Sequence, residues 1–84
     1  MSKFCIITEI FFNYMHLYDR YTKNKLIFND LLKEFSFIEN YKNLFDFNIY
    51  YSIKDWEDIL NKIENIENRN KTINNIINNI LNEQ

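Results

Sequence analysis

The C-terminal third of the chain carries its strongest folding constraint. Trp56, Ile59, Ile63, Ile66, Asn70, Ile73, Ile77 and Ile80 succeed one another at steps of 3, 4, 3, 4, 3, 4 and 3. That is an unbroken heptad register over nearly four heptads. A helix places such a series along one side. Trp56, Ile63, Asn70 and Ile77 take one seam position, and Ile59, Ile66, Ile73 and Ile80 take the other. Leu60, Ile76 and Leu81 widen the stripe, which suits a globular bundle as well as a two-helix seam. Just upstream, Ser52 and Asp55 have the spacing of a capping box: the hydroxyl accepts from the backbone N–H three residues on, and the carboxylate reaches back. Asp55, Glu57 and Asp58 then fall in the first turns, where negative charge complements the helix dipole.

Asn70 interrupts the stripe and leaves two readings open. In one continuous helix it is a polar seam residue of the kind that fixes register and oligomer state at a cost in stability. Alternatively residues 68–72 turn, two shorter helices fold back as a hairpin, and Thr72 or Asn70 caps the second.

The rest of the chain is read the same way. Phe4, Ile7, Phe11, Tyr14, Tyr18 and Tyr21 form a helical stripe that predicts a first helix over about 3–21, with Ser2 as its cap. Thr22 to Lys25 read as a polar break. A second helix is expected over about 29–39, with Leu31, Leu32, Phe35 and Ile38 as its apolar face. Residues 40–52 form a connector. Within it Phe45, Phe47, Ile49, Tyr51 and Ile53 alternate with Asp46, Asn48 and Ser52, which also fits a half-buried strand. The expected fold is therefore all-α: a single-domain bundle of three to four helices, ending in a long helix or helical hairpin over 53–82. The alternative is α+β, with a short strand near 45–53.

Composition narrows function mainly by subtraction. The chain has 84 residues, no Gly, one Cys and one His. Without Gly there is no phosphate-cradling loop, dinucleotide fingerprint, nucleophile elbow or calcium-binding EF-hand loop. A lone Cys5 and a lone His16 exclude a disulfide framework and any site needing several such ligands. His16 with Asp19 or Glu9 is a poor metal or catalytic pair, and Cys5 reads as structural. No cofactor, metal or catalytic residue is expected, and the protein reads as a non-enzyme. The segment from Phe4 to Tyr18 holds Glu9 and Asn13 and is too short to span a bilayer. No membrane association is expected, and the lone Cys fits a reducing, cytoplasmic compartment.

The remaining signals concern partners. Aromatics make up 18% of the chain, more than so small a core readily hides. Tyr50, Tyr51 and Trp56, beside the acidic Asp55, Glu57 and Asp58, are candidate anchors for a protein partner. The Ile59, Ile63, Ile66, Asn70, Ile73, Ile77 and Ile80 stripe is a candidate oligomer seam. Arg20, Lys23 and Lys25 form a small basic patch for phosphate contacts, although a net charge of −2 makes nucleic acid an unfavoured partner. The abundance of Asn and Ile also matches the codon bias of a very AT-rich genome.

In size and composition the chain resembles small accessory products of phages and mobile elements, among them anti-CRISPR and other anti-defence inhibitors. That resemblance carries no residue with it. It implies a binding protein in the host cytoplasm that blocks a larger nucleic-acid-processing or defence complex, whether protein or ribonucleoprotein. A homo-oligomeric coiled-coil protein is the first alternative, and a small nucleic-acid binder the second.

Overall fold

The computed structural model describes residues 3–82, with side chains described as far as Lys71. The chain runs through α1 (Lys3–Tyr14), α2 (Arg20–Glu34), a 3-10 segment (Ser36–Leu44) and α3 (Ile53–Asn82). It is a small all-α bundle. No strand occurs among the described residues. The alternating stretch leaves the 3-10 segment at Phe45 in an extended conformation (φ −102°, ψ 128°). It then runs to α3 as a connector, with no second strand to pair with.

The first helix ends earlier than the stripe predicts. The cause is Asp19, whose Oδ1 accepts the Thr22 N–H at 2.9 Å and caps α2. A cap at residue 19 starts a new helix axis, so Thr22 to Lys25 are the first turns of α2 and not a break. Tyr18 shows where the first period stops: it sits in the turn, 99% exposed. The predicted 29–39 helix is split as well. Phe35 leaves helical geometry (φ −131°, ψ 80°) while its N–H closes on Leu31 C=O at 2.7 Å. The chain then continues as 3-10 turns, themselves kinked at Tyr41. Ser2 lies outside the described residues.

The last helix begins as its sequence dictates. The Asp55 N–H donates to Ser52 Oγ at 3.2 Å, and the Ser52 N–H donates to Asp55 Oδ2 at 3.1 Å. α3 then continues without a break for 30 residues, about 45 Å at 1.5 Å per residue. The hairpin reading is thereby overturned. Asn70 has helical neighbours on both sides, and nothing there ends the intrahelical hydrogen-bond ladder.

One core joins all the elements. Ile7, Ile10 and Phe11 of α1 pack with Ile27, Phe28 and Leu31 of α2, with Ile38 and Phe45 between, and with Trp56, Leu60 and Ile63 of α3. Rings meet in its middle: Phe45 stacks on Trp56 at 5.1 Å between centroids, Tyr51 tilts against Trp56 at 5.2 Å, and Phe28 meets Phe45 edge-on at 5.1 Å. With no Ala or Val in the chain, aromatics do the space-filling. Among the described side chains the core stops at Ile63, and α3 runs on past it. The molecule is accordingly long, 58 × 26 × 19 Å.

Candidate functional site

Two buried polar residues of α2, unforeseen from the sequence, organise one end of the molecule. Asn24 is 2% exposed. Its amide donates to the backbone oxygens of Phe47 at 3.3 Å and Ile49 at 2.5 Å. The connector is thereby fastened to the first turns of α2. Lys23 is 8% exposed, with its ammonium 4.3 Å from the centre of the Phe11 ring and 5.7 Å from that of Tyr50. Two aromatic faces thus hold its charge. Arg20 approaches Tyr50 from the same side at 5.9 Å, Lys25 lies 5.9 Å from Tyr21, and Tyr21 meets Phe47 edge-on at 5.9 Å.

These contacts build a surface. Phe12, Met15, Tyr18, Tyr21, Ile49 and Tyr50 are all exposed. They belong to the end of α1, the turn into α2, the first turn of α2, and the connector that Asn24 fastens there. Arg20 and Lys25 lie among them. This end is therefore aromatic and mildly basic.

The predicted partner residues do not share one role. Trp56 is 0% exposed and cannot be an anchor on the monomer surface; burial of so large a ring is what the core is built on. Tyr51 is partly buried, and its hydroxyl accepts the Asp46 N–H at 2.9 Å. Tyr50 is exposed beside Arg20 and Lys23. Asp55 is spent on the cap, Glu57 is partly buried, and Asp58 is exposed.

The basic patch also changes character. Lys23 is a buried helix residue and not a loop cation, which leaves Arg20 and Lys25 exposed. Along the predicted seam, Ile63 is buried, Ile59 and Ile66 are partly buried, and Asn70 is exposed. Asn70 is therefore not a core residue of this chain's own bundle. The side chains of Ile73, Ile77 and Ile80 lie outside the described residues.

Elsewhere the polar contacts are structural. The Lys3 ammonium pairs with Glu64 and donates to Leu60 C=O at 3.3 Å, tying the start of α1 to α3. Partial burial pulls the Lys3 pKa below the ordinary lysine value, against the raising influence of Glu57. The groove between α1 and α2, about 400 Å³, is lined by Glu9, Asp30, Lys33 and Glu34 among others. Its Asp30 is already engaged, by Lys33 at 3.3 Å and by the Tyr14 hydroxyl at 2.5 Å. Among the described residues no three His, Cys, Asp or Glu side chains come together to hold a metal ion. No described helix is long and apolar enough to cross a membrane.

Two tyrosines give the fold an alkaline limit. Tyr14 donates to Asp30 and Tyr41 donates to Glu67 at 2.6 Å. Hydrogen bonding to a carboxylate, aided by burial and by the carboxylate charge, pushes both phenols above their ordinary value. A raised folded value stabilises the fold while the phenol is neutral, and that contribution is lost as pH climbs past 10. Lys3 works in the opposite sense, since a lowered ammonium favours the fold more as it deprotonates. Stability of the wild type to urea should therefore fall from about pH 9 to about pH 11, and more gently in the Tyr14→Phe, Tyr41→Phe double variant. Parallel profiles for the two proteins would refute the assignment.

No family model, curated protein or solved structure matches this chain at a significant level. The functional reading rests on the surface itself.

Proposed function

We propose that this protein is a non-enzymatic binding module whose aromatic end docks on a larger protein. One observation carries the reading. Six of the eight large apolar residues exposed among the described residues gather at the α1–α2 turn and the connector fastened to it. Exposed apolar residues scattered singly need no explanation, but a gathered set rimmed by polar groups marks an interaction surface. Tyr18, Tyr21 and Tyr50 supply rigid, amphipathic anchors of the type enriched at binding hot spots. Arg20 and Lys25 favour acidic groups on the partner.

The same surface weakens the nucleic-acid alternative. With Lys23 held between rings, two exposed cations remain on this patch, too few for backbone-driven binding at physiological salt. The narrower form of the proposal is an inhibitor that works in a host cytoplasm and sterically blocks a nucleic-acid-processing or defence complex. It rests on size and composition alone.

The test is affinity capture from bacterial lysate with the wild type and with a Tyr18→Ser, Tyr50→Ser variant. Both residues are exposed, and the variant's helix content by circular dichroism should match that of the wild type. The expected result is a stoichiometric protein retained by the wild type and lost by the variant. Retention by both, or by neither, rejects this surface as the docking site.

A further inference from the structure

Two cations meet over one ring at the aromatic end, and the chain supplies them with no counter-charge. Arg20 and Lys23 stand three residues apart at the start of α2, on one face of the helix. Both approach the Tyr50 ring, the guanidinium to 5.9 Å and the ammonium to 5.7 Å from its centre. The ion pairs among the described residues are Lys3–Glu64 and Lys33–Asp30, and Arg20 and Lys23 take part in neither. Asp19, the acid nearest in sequence, gives its Oδ1 to the Thr22 N–H.

Lys23 is the sharper observation. It is more than nine-tenths buried, at 8% exposed, and its ammonium meets ring faces where an acceptor would be expected. Aromatic faces carry part of the charge, but an ammonium has three N–H donors that a ring leaves without an oxygen. Phe11, on one side of it, is buried, and Tyr50, on the other, is half exposed. The approach to the ammonium is therefore past Tyr50, where Arg20 also stands.

We infer that this notch receives a carboxylate, from an Asp or Glu side chain of the docked protein. The Lys23 ammonium and the Arg20 guanidinium hold it beside the Tyr50 ring, and the exposed Tyr21 and Ile49 take its apolar neighbours. The inference rests on the docking reading above and gives the partner its chemistry. A recessed ammonium next to a guanidinium suits one inserted side chain: the carboxylate satisfies the buried donors, and the guanidinium fork matches its two oxygens. A nucleic-acid backbone instead presents a row of phosphates and needs a row of exposed cations.

Nuclear magnetic resonance of the full chain tests the notch, through the backbone amides of Arg20, Lys23 and Tyr50. The probes are a blocked Leu-Glu-Leu peptide, its Leu-Gln-Leu counterpart and inorganic phosphate. The Glu peptide should shift these amides and saturate at millimolar concentration, with the Gln peptide about tenfold weaker. Arg20→Gln, at an exposed site, and Lys23→Met, which keeps the buried stem, should each bring the two peptides within about twofold of one another. Equal binding of the two peptides to the wild type overturns the inference. So does the absence of any shift up to about 20 mM peptide, or a Glu preference that survives in either variant. Phosphate that shifts the same amides as strongly as the Glu peptide would make this a site for free anions and would equally reject the partner's carboxylate. Failure here is separable from failure of the docking surface. If the lysate partner is lost by the Tyr18→Ser, Tyr50→Ser variant but kept by an Arg20→Gln, Lys23→Met variant, the surface stands and the carboxylate notch falls.

Discussion

Replacing Trp56 with Ala should lower the melting temperature by about 15–30 °C. Truncating a buried aromatic to Ala costs about 3–5 kcal/mol, and in a domain of this size each kcal/mol shifts the midpoint by about 4–8 °C. The whole chain has about 4–13 kcal/mol to lose, at the usual stability per residue. Trp56 belongs at the severe end because it is the hinge of three elements. It is fully buried, with Phe45 stacked on one side and Tyr51 packed against it. Phe45 in turn carries Phe28 of α2. No residue in the chain is small and apolar enough to collapse into the void, since Ala and Val are absent. Far-UV and near-UV circular dichroism across a thermal ramp would measure the loss. Ile66→Ala is the comparison, because Ile66 lies on the same helix outside the core. Its midpoint should move by only a few degrees. Equal shifts for the two variants would mean that the core does not end at Ile63.

Trp56, an anchor by its acidic neighbours and a core residue by its burial, marks what local sequence can and cannot carry. Its place on the α3 stripe was legible, because a period of 3.5 survives whatever the helix packs against. So were the start of α3, from the Ser52–Asp55 pair, and the all-α class. What a period does not state is which arc of the stripe the bundle takes. Here the bundle took Trp56, Leu60 and Ile63 and left the line through Ile59 and Ile66 half covered. That choice is made by tertiary packing, outside the reach of local pattern.

The α1–α2 boundary failed for a different reason. Tyr14, Tyr18 and Tyr21 continue the helical spacing across a turn, so apolar periodicity overruled a cap. Asp19, three residues before Thr22, was the better signal, since an N-cap carboxylate satisfies donors that an apolar stripe ignores. Lys23 and Asn24 were hidden by type. A lysine beside a second lysine reads as solvated, and one Asn among 15 carries no information. Only the meeting of α2 with the connector shows that both are buried. The sequence places the partner surface at Tyr50, Tyr51 and Trp56 beside the acids of α3; Phe12, Met15, Tyr18 and Tyr21 join Tyr50 only once α1 stops at Tyr14.

Asn24 is the residue on which that convergence depends, and its replacement by Asp should be more damaging than its replacement by Ala. The amide donates to two backbone oxygens, those of Phe47 and Ile49. Asn24→Ala removes both bonds and leaves the two acceptors to find water, a loss of about 1–3 kcal/mol. Asn24→Asp keeps the shape and reverses the chemistry. At neutral pH it aims a carboxylate at two carbonyl oxygens inside a site that was 2% exposed, so a buried charge replaces a donor. The connector should then come away from α2. Chymotrypsin should cut faster at Tyr50 and Tyr51, and amide exchange over 46–51 should quicken. Far-UV dichroism should change little, because the connector is not helical. The sign of the pH response separates this account from a simple packing defect. A carboxyl facing carbonyls has its folded pKa raised, and once protonated it can donate one of the missing bonds. The Asn24→Asp defect should therefore shrink as the pH falls below about 5, while that of Asn24→Ala stays constant relative to the wild type. If both variants track the wild type equally down to that pH, the amide's two hydrogen bonds are not what fastens the connector. The aromatic surface would then owe its shape to the Phe45 and Phe47 rings alone.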